Sequence, residues 1–86
     1  MQVFIKLPYP YNKCKVFEID YDITFEDLRN LINKNTCYSN IEYYFLNSTK
    51  VISEELNEIT ISEYNNRYPT KKIENETTLH LIIRSV

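Results

Sequence analysis

The sequence predicts a small α+β domain in which one helix lies across one face of a single sheet. Three observations predict it. Both ends of the chain alternate apolar and polar residues with period two, a capped helical stripe lies between them, and the order is hairpin, helix, strands, short helix, strand. With 86 residues, 43% of them hydrophobic and 26% charged, the chain has room for one core and no second, so residues 1–86 are read as one domain.

Met1, Val3 and Ile5 alternate with Gln2, Phe4 and Lys6, which predicts a first strand with one buried face. Pro8-Tyr9-Pro10-Tyr11-Asn12 breaks any ladder, because proline has no amide hydrogen to donate, and turns the chain back into a second strand from Cys14 to Ile19. Phe17 and Ile19 point inward there. Lys15 shares their side, which calls for a bulge or a snorkelling stem. Thr24 followed by Glu26 and Asp27 is a hydroxyl cap with acids in the first turn, so a helix starts at about Phe25 and runs to Asn35-Thr36. Phe25, Leu28 and Ile32 form its apolar stripe with Leu31 at the edge, leaving Glu26, Arg29 and Asn33 to face elsewhere.

Ile41 to Leu46 reads as a third strand, with Tyr43 and Phe45 on one face and Tyr44 and Leu46 on the other, and Lys50-Val51-Ile52 as a short fourth. Ser53 to Thr70 is polar and irregular, with one helical turn at Thr60 to Tyr64 and a loop over Asn65 to Lys72. In the last strand Leu79, Leu81 and Ile83 turn inward, and Thr78, His80, Ile82 and Arg84 turn outward.

Composition narrows the function. Ten basic and twelve acidic residues give a net charge of −2 without runs of one sign, which disfavours nucleic acid and anionic membranes as partners. No window approaches the ~20 apolar residues of a membrane span, and the broken amino-terminal segment does not read as a signal peptide, so a soluble intracellular location is expected. Cys14 and Cys37 lack zinc-ligand spacing and read as reduced thiols acting as small hydrophobes. Asn47-Ser48-Thr49 and Asn75-Glu76-Thr77 match the glycosylation pattern, which matters only in a secreted chain. His80, the single histidine, lies on a strand with no cleft implied, Glu54 and Glu55 read as a solvated run, and without glycine there is no phosphate loop. No catalytic residue, cofactor or metal is expected. Eight tyrosines fit a compositional bias that also over-uses asparagine.

Three segments carry a resemblance. Met1-Gln2-Val3-Phe4-Ile5-Lys6, Thr60-Ile61-Ser62-Glu63-Tyr64-Asn65 and Thr77-Thr78-Leu79-His80-Leu81-Ile82-Ile83-Arg84 resemble ubiquitin and occur in its order, and Thr24-Phe25-Glu26-Asp27-Leu28 is similar to the start of its helix. The resemblance implies a ubiquitin-like β-grasp, a mixed four- to five-stranded sheet with one main helix across one face. Departures lie in a longer first hairpin and in extra residues on both sides of Thr60 to Tyr64, chiefly Asn66 to Lys72. It also implies a non-catalytic, monomeric protein-binding module of the cytoplasm or nucleus. Its partners would be ubiquitin receptors, a proteasome subunit, a segregase or a ligase component. The implied partner-binding residues are Tyr44, Leu46, His80, Ile82 and Arg84 on the outer sheet face, Tyr9 or its flanking prolines at the hairpin tip, and Lys50 where ubiquitin carries a chain-linking lysine. Leu46 and Ile82 are outward aliphatics, which independently suggest a docking patch, with Phe4 as a further outward aromatic. The chain closes with Arg84-Ser85-Val86 instead of a diglycine, so an amino-terminal module of a larger protein is expected ahead of a free-standing ligase adaptor or a conjugated modifier.

Overall fold

A computed structural model describes residues 1–84, and Ser85 and Val86 of the closing motif lie outside the described residues. Five strands, β1 (Gln2–Leu7), β2 (Lys13–Glu18), β3 (Tyr43–Asn47), β4 (Lys50–Ile52) and β5 (Thr77–Ile83), form one mixed sheet in the order β2-β1-β5-β3-β4. The first and last strands run parallel at its centre, and every other pairing is antiparallel. Helix α1 (Phe25–Lys34) and the shorter α2 (Ile61–Arg67) complete an α+β fold of β-grasp type, with a 3-10 turn at Glu54–Leu56.

Alternation decides which face is covered. Val3, Ile5, Phe45, Leu79 and Leu81 are buried, together with Phe25, Leu28 and Ile32 of α1, in one hydrophobic cluster. The Thr24 hydroxyl accepts from the Asp27 amide at 3.1 Å and starts α1, as its position before the apolar stripe predicts. Thr60 repeats the device for α2, accepting from the Glu63 amide at 3.1 Å. The two helix starts are tied together, because the amides of Phe25 and Ile61 donate to the carbonyls of Ile59 and Ile23 at 3.1 and 3.0 Å.

Five expectations need correction. First, α2 extends to Arg67 through residues read as loop, since buried Ile61 and Tyr64 anchor it and the Asn65 side chain pairs with both the amide and the carbonyl of buried Ile73. Second, Arg29, read as lying off the buried stripe of α1, is itself buried. It is 7% exposed and its guanidinium donates to the carbonyls of Tyr43 (2.9 Å) and Ile52 (3.2 Å) and to Asn57 Oδ1 (2.7 Å). Third, Cys14 and Cys37 are free but exposed, so neither acts as a core hydrophobe. Fourth, Glu54 is not simply solvated, because it forms an ion pair with Arg84 at 3.1 Å. Fifth, β3 starts only at Tyr43, leaving Ile41 exposed before it. Lys15 is explained without a bulge: its stem runs along the inner face and its ammonium donates to the Asn35 carbonyl at 3.1 Å, at the negative end of α1.

Candidate functional site

The sheet face turned away from α1 is built by the other half of each alternation. On β5 these residues are Thr78, His80 and Ile82, on β3 Tyr44 and Leu46, on β4 Val51, and on β1 Phe4 and Lys6. Tyr44 stands opposite Ile82, and Leu46 stands opposite both His80 and Val51. Leu46 and Ile82 are therefore diagonal neighbours, close enough for their side chains to share one surface. His80 is exposed, Tyr44, Leu46 and Ile82 are half-buried, and Val51 is 48% exposed. The result is an apolar strip bordered by Lys6 and His80.

Arg84 follows β5 and is fixed by two contacts, the ion pair to Glu54 and a position 5.8 Å above the Tyr44 ring. Tyr9 stands at the hairpin tip, 78% exposed. Lys50 is placed differently from the expectation. It shares the parity of buried Ile52, and its ammonium sits 4.0 Å from the centre of the Tyr68 ring, on the side of the sheet opposite Leu46 and Ile82. The structure thus brings Tyr44, Leu46, His80, Ile82 and Arg84 together, sets Tyr9 at the end of the hairpin, and separates Lys50 from them. Val51 and the half-buried Phe4 belong to the same face, and Val51 was legible in the alternation of Lys50-Val51-Ile52.

Where β1 gives out at Pro8, β5 continues to Ile83, and a cavity of about 260 Å³ opens beside the strip. It is lined by Lys6, Leu7, Pro8, Asn12, His80, Leu81 and Ile82. Its walls are mainly aliphatic, with Lys6 and His80 at hand to meet a carboxylate. A smaller cavity of about 160 Å³ lies between Arg29, Asn33, Ile41, Glu42, Tyr43 and Glu54.

The titration shifts lie off the strip, four of them in the packing beneath it and that of Tyr11 in the β1–β2 hairpin. Burial pushes the Tyr43 phenol up to about 12, against the pull of the Arg29 guanidinium. Burial likewise raises the Tyr38 and Tyr64 phenols and lowers the Arg29 guanidinium, the last opposed by Glu54. Tyr11 is raised chiefly through its contact with the Cys37 side chain. Among the described residues no group of three His, Cys, Asp or Glu is arranged to hold a metal ion. Nor is any described helix long and apolar enough to cross a membrane.

The fold and the strip define a β-grasp-like α+β protein with one covered and one open sheet face. No protein-family model matches the chain, and no curated protein sequence matches it significantly.

Proposed function

We propose that the chain is a ubiquitin-like protein-interaction module, without catalytic chemistry of its own, that binds partners through the open sheet face. The observation that carries this reading is the adjacency of Tyr44, Leu46, His80 and Ile82 in two consecutive cross-strand pairs on that face. Half-exposed aliphatic and aromatic side chains with polar groups at the rim suit a small interface with a few anchors. The ordered resemblance of the first strand, the connector and the last strand to ubiquitin supports partners from the ubiquitin and proteasome pathway: receptors, a proteasome subunit, a segregase or a ligase component.

A cytoplasmic or nuclear setting suits the same reading. Of the two glycan-acceptor patterns, the Asn47 amide is buried, donating to the Tyr64 hydroxyl at 3.3 Å and to the Lys71 carbonyl at 2.9 Å, so a sugar there is incompatible with this packing, whereas Asn75 is exposed. Titration of the wild-type chain, Leu46→Ala and Ile82→Ala against a ubiquitin-binding domain tests the proposal. Each substitution is expected to weaken binding by about 1 to 2 kcal/mol, with the melting curve little changed. Equal affinity for all three proteins would remove the strip as the docking site.

A further inference from the structure

The β1–β2 hairpin is fastened to the core from the covered side. Tyr38, 1% exposed in the segment between α1 and β3, directs its hydroxyl to the carbonyl of Pro8 at 2.9 Å and lies 3.1 Å from that of Tyr9. The Pro8 carbonyl also accepts from the amides of Tyr11 and Asn12, at 3.0 and 3.1 Å, so one oxygen closes the turn and ties it to the core. A second tie runs the other way, since the Cys37 amide donates to the Tyr11 hydroxyl at 2.8 Å. The two phenol rings meet edge to face with centroids 5.5 Å apart. Pro8 and Asn12, held between these contacts, form one wall of the cavity beside Ile82.

We propose that Tyr38 is a positioning residue that, together with Tyr11, holds the hairpin in its binding geometry, so that Tyr9 and the cavity wall meet a partner already ordered. This rests on the reading of the open face as the docking surface. A five-residue loop rich in proline and tyrosine would otherwise have to be immobilised at association, a loss of freedom that weakens binding. The clamp moves that loss into folding. It also restricts the face to partners that fit a fixed wall, because a fastened hairpin does not adapt to others.

Two measurements on the full chain decide the matter. Native-state amide exchange compares wild type, Tyr38→Phe and, as a control for general destabilisation away from both hairpin and β5, Leu28→Ala in α1. Tyr38→Phe keeps the ring and removes the hydroxyl. The amides of Tyr11, Asn12 and Cys37 are expected to exchange at least about 10-fold faster relative to the β5 amides, as local opening separates from global unfolding. In Leu28→Ala no such hairpin-selective gap is expected. Equal acceleration of hairpin and β5 amides in Tyr38→Phe, or none at all, overturns the clamp. The second measurement is affinity for the same ubiquitin-binding domain, where Tyr38→Phe is expected to bind about 3- to 10-fold more weakly and Tyr9→Ala to lose less in that background than in wild type. A loosened hairpin with unchanged affinity refutes the positioning role. If Leu46→Ala and Ile82→Ala also bind like wild type, the docking reading falls as well, whereas their weakened binding beside an unaffected Tyr38→Phe rejects the clamp alone.

Discussion

Replacing Arg29 by methionine isolates the most unusual feature of the core. The last β3–β4 pair is Phe45 with Ile52, and beyond it β4 turns away into the 3-10 turn. The Tyr43 and Ile52 carbonyls lie where the ladder has run out, and the Arg29 guanidinium spans the gap, donating to both and to Asn57 Oδ1. It also lies 4.7 Å from the Phe45 ring centre and 5.4 Å from that of Tyr43. Methionine fills much of the volume and removes a desolvated charge, which is favourable. Against this, two buried carbonyls lose their donor at about 1 to 3 kcal/mol each, and the cation–ring contacts vanish.

The carbonyl loss outweighs the relief, because all three nitrogens of the planar group are used and the fork fits its acceptors. A net destabilisation of about 2 to 4 kcal/mol is expected, which lowers the urea midpoint by roughly 1 to 3 M at unchanged m. Arg29→Lys should fare little better, since one ammonium cannot reproduce the fork. Urea unfolding followed by circular dichroism provides the assay. A methionine variant as stable as wild type, or more so, would refute the reasoning by showing that desolvation of the guanidinium outweighs its hydrogen bonds.

Three further outcomes follow from the packing. Tyr43 is 3% exposed and its phenol is pushed up from 10.0 to about 12, so the fold favours the neutral form. The corresponding stability is complete below about pH 10 and is lost as pH rises toward 12, amounting to at most about 3 kcal/mol. Tyr43→Phe should flatten that alkaline decline in a series of melts, and an identical decline would contradict the assignment. Leu81→Ala removes a core side chain 2% exposed and should destabilise by about 2 to 5 kcal/mol, so an unaltered melting temperature would show that Leu81 does not pack inward. Lys15→Ala should cost about 0.3 to 1 kcal/mol at low ionic strength and less in concentrated salt, which equilibrium unfolding at two salt concentrations measures.

How far the sequence could be read depended on whether a residue's role was local. The faces of β1 and β5 follow from period-two alternation, and both helix starts follow from a threonine whose hydroxyl serves an amide three residues on. These signals reside in neighbouring residues. Arg29 gives no local sign of burial, because its acceptors are contributed by β3, β4 and the segment after the 3-10 turn, 14 to 28 residues away in sequence. The end of α2 was hidden for the same reason: Asn65 stabilises it by pairing with Ile73, eight residues on. Tyrosine number alone fits a compositional bias, yet Tyr38, Tyr43 and Tyr64 are core residues whose hydroxyls are partnered. On the candidate face, Tyr44, Leu46, His80 and Ile82 obeyed alternation, and so did Lys50, whose shared parity with Ile52 already placed it on the other side.

A chain with no glycine still bends backward at Asn12, Ser48 and Glu76, whose φ values are 50°, 56° and 69°. Side chains bearing a Cβ occupy this left-handed region at an expense of roughly 1 to 2 kcal/mol, less for asparagine. The same side chains narrow the range of shapes open to the denatured polypeptide, which reduces the disorder surrendered on folding.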